Sequence, residues 1–247
     1  MRLGSEPSHA NITIMTNKDL PTRRDADPVA AFLKEVASTP PPQPGRGRGR
    51  LIFAMDATAS REPTWDRACQ VQGQMFLETA ALGGLDVQLV YYRGFDECRA
   101  SRWVDNPSDL VRLMTSVFCL AGQTKLGRVL RHAIRETEKK RVAALVFVGD
   151  CFEENLDQVG QIAGQLGLQG VRAFLFQEGH NPDAERAFRQ IARLTNGAHC
   201  RFDAGSPRQL RDLLGAVAAY AAGGQRALAD LSRNSSPEVR LLASQVR

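Results

Sequence analysis

LIFAMDATAS, residues 51–60, is the stretch whose reading decides the fold. Five apolar residues run without interruption into Asp56, and Thr58 and Ser60 follow at alternate positions. A solid run of this length, rather than an alternating one, suits a strand covered on both faces, as in a parallel sheet flanked by helices. The pattern recurs at 143–148, where AALVFV runs into Gly149-Asp150, and again at 87–91, 171–176 and 198–202. Helical spacing fills the intervals, at 63–81, 107–119, 126–140, 156–167, 182–195 and 206–221. Residues 96–103, DECRASRW, alternate more weakly and suggest an edge strand lying antiparallel to its neighbour. The expected fold class is therefore α/β: a three-layer, Rossmann-like domain of about six mostly parallel strands with helices on both faces.

That domain occupies 51–222 of the 247 residues. Residues 1–25 are polar, lack periodicity and read as a disordered leader. Residues 26–50 hold a short amphipathic helix, with Asp27 as cap and Pro28 at its first position, and then a Pro/Gly/Arg linker. Residues 223–247 read as a helical tail broken at Asn234-Ser235-Ser236-Pro237, with Ser236 as cap and Leu241, Leu242 and Val246 as an apolar stripe. No stretch reaches the roughly 18 apolar residues of a membrane span, and the N-terminus has no secretory h-region. The expectation is a cytoplasmic protein without a membrane partner. The net charge is +5 and the pI about 9.2, which raises the question of nucleic acid. Residues 1–50 hold eight Lys/Arg against five Asp/Glu, leaving 24 against 22 for the remainder, so no basic groove over the domain is indicated. The five cysteines lack any CxxC or Cys/His spacing, which argues against structural zinc.

The chemistry lies at the strand ends. Asp56-x-Thr58-x-Ser60 follows the first strand, Gly122-Gln123-Thr124-Lys125-Leu126-Gly127 opens a helix, and Asp150 closes a later buried strand. Open parallel sheets bind ligands beyond the strands' carboxyl ends, where the strand order reverses. With strands ordered 3-2-1-4-5-6, the strands carrying Asp56 and Asp150 become neighbours at that reversal. Two carboxylates and three hydroxyls, with no His or Cys, form a hard-oxygen set suited to Mg²⁺ or Mn²⁺. Two Asp neutralise a divalent ion and leave it electrophilic, able to accept a carboxylate from another protein.

These residues resemble the metal-ion-dependent adhesion site of von Willebrand factor type A domains, whose pattern is D-x-S-x-S followed by a Thr and an Asp. The resemblance covers about residues 50–222, with Thr58 standing where the family usually has Ser and Gly149-Asp150-Cys151 where it often has Thr-Asp-Gly. It implies a non-enzymatic binding module that holds Mg²⁺ through Asp56, Thr58, Ser60, Thr124 and Asp150 and captures an Asp or Glu of a protein partner. Intracellular members suggest an AAA+ ATPase, a chaperone or an assembly factor as that partner. Arg61, Trp65, Gln123, Cys151, Phe152 and Glu153 would line the partner-binding rim.

Two other functions compete. A haloacid-dehalogenase-like phosphatase would use Asp56 as nucleophile, Asp150 as metal ligand and Lys125 or Lys139 as phosphate-stabilising cation. It lacks the second catalytic carboxylate, since position 58 is Thr. Association with nucleic acid through the basic leader is the other. There is no P-loop and no G-x-S-x-G elbow. His9, His132, His180 and His199 are expected in exposed or structural places, and Glu153 and Glu154 are expected as solvated loop carboxylates.

Overall fold

The computed structural model describes residues 48–61, 85–203 and 205–246. Its strands are β1 (Gly49–Asp56), β2 (Leu85–Arg93), β3 (Glu97–Ala100), β4 (Ala144–Gly149), β5 (Arg172–Glu178) and β6 (Ala198–Phe202). They form one sheet in the order β3-β2-β1-β4-β5-β6, parallel throughout except for β3, which runs antiparallel to β2. The expected architecture and edge strand are both present. The helix expected at 63–81, the N-terminal helix, Cys69 and Trp65 lie outside the described residues.

Burial on both faces explains the solid apolar runs. Leu51, Phe53 and Met55 face one core with Val146, Val148, Phe174 and Phe176, while Ile52 and Ala54 face the other with Leu145, Phe147 and Leu175. Successive side chains point to opposite faces, so a strand with helices on each side has no position left for a polar residue. Each large side chain so buried contributes about 1.5–3 kcal/mol.

The first face is covered by α1 (Pro107–Thr115), α5 (Pro207–Ser232) and α6 (Pro237–Gln245), through residues such as Leu110, Met114, Leu213, Val217 and Leu242. The second is covered by α2 (Leu126–Lys139), α3 (Leu156–Leu168) and α4 (Pro182–Leu194), through Val129, Leu130, Ala163, Phe188 and Ile191. Asn106, Asn155 and Asn181 cap α1, α3 and α4 with side-chain oxygens that accept backbone N–H groups. In α5, Gly224 adopts φ 73° and ψ −163°, so two helical stretches meet there at a kink.

The C-terminal tail packs on the domain itself. Leu228, Leu231, Val239, Leu242 and Val246 are buried in the first core. The Gln245 amide also spans the outer edge of β6, accepting from the His199 N–H at 3.0 Å and donating to the His199 carbonyl at 3.1 Å. It thereby satisfies an edge that would otherwise present unpaired backbone groups. Ser236 and Pro237 take their expected positions, but the Ser236 hydroxyl makes no capping bond.

β1 begins two residues before the apolar run, and the reason is Arg50. Its guanidinium is buried against Glu136 of α2 at 3.1 Å and stacks on the Trp103 ring at 3.7 Å, while the Trp103 indole N–H donates to the same carboxylate at 2.8 Å. Burial alone would raise the Glu136 carboxyl, but hydrogen bonds from Lys139 and Trp103 outweigh it and hold the group at about 2. The last charge of the Pro/Gly/Arg stretch is thus part of the fold rather than of the linker.

Candidate functional site

Asp56 is the last residue of β1, and the pairing Met55↔Val148 brings Gly149 and then Asp150 beside it. The approach is close: a Cβ on Gly149 would stand 3.5 Å from the Asp56 Cβ and 2.8 Å from the Phe147 ring. A Cβ there would collide with the Phe147 ring of its own strand while only touching Asp56. The two carboxylates expected to share a crevice are therefore neighbours at the point where the strand order reverses.

The turn after β1 folds back on Asp56. The Thr58 N–H donates to Asp56 Oδ1 at 2.8 Å, and the hydroxyls of Thr58 and Ser60 lie 3.1 Å apart. A short 3-10 turn, Ala59–Arg61, carries the segment onward. Backbone bonds anchor it on both sides: Ala57 N–H to the Tyr92 carbonyl at 3.0 Å, and Leu120 N–H to the Ala57 carbonyl at 3.1 Å. The Thr58↔Leu120 bridge brings the 117–124 segment alongside the turn. Gly122 has no room for a side chain, since a Cβ would come within 2.0 Å of the Gly94 carbonyl oxygen.

Thr124 is buried and held by the loop that follows β4. Its hydroxyl accepts from the Glu153 N–H at 3.0 Å, and its own N–H donates to the Glu153 carboxylate at 3.3 Å. It is not the cap of α2. Lys125 takes that position without a side-chain bond, and α2 has no acidic residue in its first turn. Glu154 supplies the missing acceptor from outside the helix, bonding the Gly127 N–H at 3.1 and 3.2 Å. Burial raises the Glu154 carboxyl and the Gly127 bond opposes the rise. Glu154 is thus committed to α2, whereas Glu153, although bonded to the Thr124 N–H, stays exposed as a loop carboxylate.

Electrostatics sets Asp56 apart. It is fully buried, burial pushes its carboxyl up, the Thr58 bonds pull it down, and the Asp150 charge adds to the rise. Asp56 Oδ2 and Asp150 Oδ1 are both buried without a hydrogen-bond partner. Sequence reasoning missed Tyr92, which pairs with Asp56 in the β1–β2 register and is fully buried. Its hydroxyl stands beside the Asp56 carboxylate without reaching regular hydrogen-bond geometry, and burial, then the Asp56 charge and that contact, push the phenol well above its ordinary range. The signal was an apolar run that ends in two tyrosines opposite the strand carrying Asp56.

The rim residues divide. Gln123 and Glu153 are exposed beside Thr124. Phe152 is half-buried and packs against the α2–α3–α4 core. The Cys151 thiol lies 4.0 Å from the Asn181 amide; burial, then Asp150 and Asp56, push it up to about 11, which suits an inert thiol. Trp65 and the side chain of Arg61 lie outside the described residues. Lys125 adjoins the site, whereas Lys139 lies at the opposite end of α2 with its amine on Glu136 at 2.8 Å. His132 and His199 are engaged by Gln88 and Gln177 at 2.8 and 3.0 Å.

The arrangement fits a hard divalent cation. Two buried carboxylate oxygens lack partners, two hydroxyls converge beside them, and such an imbalance of acceptors over donors is what Mg²⁺ coordination satisfies. Among the described residues no group of three or more His, Cys, Asp or Glu is placed to hold a metal, so the donor set here is hydroxyls and two carboxylates.

The chain matches no protein-family model and no curated protein sequence. Among solved structures it is similar to a von Willebrand factor type A protein from Catenulispora acidiphila, at 14% identity and TM-score 0.58, over 72% of this chain and 43% of that one. The SpRpn10 VWA domain matches at 12% identity and TM-score 0.51, over 68% of this chain and 94% of that one. The human COPII-coat protein Sec24c matches at 10% identity and TM-score 0.51, over 71% of this chain and 32% of that one. The chain thus spans less than half the length of the first and third. These likenesses show the fold, which is that of von Willebrand factor type A domains. No helix among the described residues is long and apolar enough to cross a membrane.

Proposed function

We propose that this chain is a non-enzymatic protein-binding module whose strand-end site holds Mg²⁺, or Mn²⁺, and uses it to capture an Asp or Glu of a partner protein. The observation that carries the reading is the pair of buried, unpartnered oxygens, Asp56 Oδ2 and Asp150 Oδ1, beside the hydroxyls of Thr58 and Ser60. Asp56, Thr58, Ser60, Thr124 and Asp150 would hold the ion. When bound, it would supply a Lewis-acidic position open to a carboxylate.

The chain's own residues supply preorganisation. Asp56 is locked by the Thr58 N–H, and Thr124 is held by its reciprocal bonds with Glu153, so few rotamers have to be ordered on binding. Fold analogy adds modest support, since similar structures include a COPII-coat protein and a pilus adhesin, proteins that by name work through association. An AAA+ ATPase, a chaperone or an assembly factor remains the class of partner this reading favours, with the cytoplasm as its compartment. The phosphatase alternative loses Lys139, which sits far from Asp56, and finds Thr at position 58 where it needs a second carboxylate.

Calorimetric titration of Mn²⁺ into the wild type and Asp56→Ala tests the metal; matching curves would remove it. Affinity capture from the native lysate, in Mg²⁺ and in EDTA, tests its use. Capture that depends on the cation is expected, and equal capture in both would place any partner elsewhere. Hydrolysis of an aryl phosphate, lost in Asp56→Asn, would instead establish the phosphatase.

A further inference from the structure

Asp56 is approached by uncharged donors from two residues, and only one of these belongs to the candidate ligand set. Thr58 donates its N–H to Asp56 Oδ1 at 2.8 Å, and its hydroxyl also bears on the carboxylate. The other residue is Tyr92, fully buried in the second core. Its hydroxyl stands beside the Asp56 carboxylate, and the charges of Glu154 and Asp150 bear on it after that of Asp56.

The backbone and the ring of Tyr92 are both fixed. The residue pairs with Asp56 in the β1–β2 register, and its carbonyl accepts from the Ala57 N–H at 3.0 Å. The ring stacks on Phe147, with centroids 6.1 Å apart and planes at 14°, and Phe147 meets Phe188 edge-on at 5.4 Å. A phenol held in this way is left to swing its O–H about the C–O bond, so its acceptor is the neighbouring oxygen that is still free. Both oxygens of Glu154 accept from the Gly127 N–H, and Asp56 Oδ1 accepts from Thr58, whereas Asp56 Oδ2 has no partner. Asp150 Oδ1 is free as well, but the Asp150 charge bears on the phenol less than those of Asp56 and Glu154. The terminal torsion of an Asp side chain is broad, so a small rotation of the Asp56 carboxylate is enough to complete a bond with the phenol.

We propose that Tyr92 is a positioning residue of the strand-end site: its O–H donates to Asp56 Oδ2, opposite the Thr58 N–H on Oδ1, and holds the carboxylate in place for the ion. This rests on the function proposed above. A neutral donor suits the place better than a cation. A lysine or arginine there would cancel one of the two negative charges that attract a divalent ion, whereas a phenol fixes the carboxylate and leaves both charges in force. Loss of such a partner behind a metal ligand typically costs about 10–100-fold in metal affinity.

The test titrates Mn²⁺ calorimetrically into the full chain, as wild type, Tyr92→Phe and Phe188→Leu, and reads the Tm of each in EDTA. Tyr92→Phe removes the O–H and keeps the ring in its stack. Phe188→Leu loosens the same aromatic cluster and keeps the O–H. The expected result is that Tyr92→Phe weakens Mn²⁺ binding at least about tenfold, with a Tm in EDTA within about 2 °C of the wild type. Phe188→Leu should do the reverse, lowering Tm and keeping the Kd within about twofold. A purely structural role of Tyr92 would not separate Kd from Tm in this way. A Mn²⁺ Kd unchanged or tighter in Tyr92→Phe would overturn the positioning role and leave the metal site standing. Equal weakening in Phe188→Leu would make the effect one of packing and would overturn that role as well. Absence of Mn²⁺ binding by the wild type would overturn the proposed function and the role of Tyr92 with it.

Discussion

Replacing Asp56 by Asn should change the sign of its effect according to whether a divalent cation is present. Without the ion, a fully buried carboxylate with one unpartnered oxygen faces a second carboxylate, also with a buried, unpartnered oxygen. An unsatisfied buried acceptor costs about 1–3 kcal/mol, and a charged one more. Asn keeps the oxygen that accepts the Thr58 N–H, removes the charge, and offers an amide that can donate toward Asp150 or the Tyr92 hydroxyl. In EDTA the variant should therefore be more stable by about 1–2 kcal/mol, or about 3–6 °C in Tm for a chain of this size. A cation at ten times its Kd stabilises the wild type by about 1.4 kcal/mol, or about 3–5 °C, and does nothing for a variant that cannot hold it. Thermal unfolding followed by intrinsic fluorescence, in EDTA and across a MgCl2 series at constant ionic strength, reads both effects. The reasoning fails if Asp56→Asn lowers Tm in EDTA by more than about 2 °C, or if Mg²⁺ raises both proteins alike.

Four further outcomes follow from other parts of the fold. Glu136→Ala strands the buried Arg50 guanidinium and the Trp103 N–H, and should cost about 3 kcal/mol in urea unfolding while leaving Mn²⁺ titration unchanged. Leu242→Ala should cost about 3 kcal/mol, because this tail residue is wholly buried in the first core; a loss below about 1 kcal/mol would mean the tail detaches at little cost. Burial lowers His199 from 6.5 to about 4, so its neutral form contributes stability that is present above pH 6.5 and lost as the pH falls toward 4. The raised Asp56 and Glu154 carboxyls gain stability as the pH falls and oppose this loss in both proteins. The His199 contribution is therefore read as the difference between the Tm profiles of the wild type and His199→Gln across that window; identical profiles would refute it. Glu136, held at about 2, adds a second loss from pH 4.5 downward. Gly149→Ala should destabilise by about 1–3 kcal/mol, since its methyl group would come within 2.8 Å of the Phe147 ring; full stability in urea unfolding would show that the ring gives way freely.

What was legible in the sequence follows from how the backbone constrains side chains. A strand covered on both faces has nowhere to put a polar residue, so LIFAM and ALVFV stand out as unbroken runs, and the first residue free to be polar is the one leaving the sheet. Asp56 and Asp150 occupy those positions, which is why the fold and the candidate oxygen donors were readable together. The groups that act on them were not, because they arrive across space by a register the sequence does not display. Tyr92 reaches Asp56 only because β1 and β2 pair as they do, and Glu154 serves a helix that begins 28 positions earlier at Leu126, supplying the acceptor the helix lacks. Arg50 looked like linker charge because its partners Trp103 and Glu136 lie far along the chain. Phe118 falls in the 107–119 stretch read as helical, whereas α1 ends at Thr115, and Leu120 reaches the turn after β1 only because it bonds to Ala57 on one side and Gly94 on the other. The candidate oxygen donors were therefore written in local spacing, whereas the bonds that hold them in place exist only in the assembled loops.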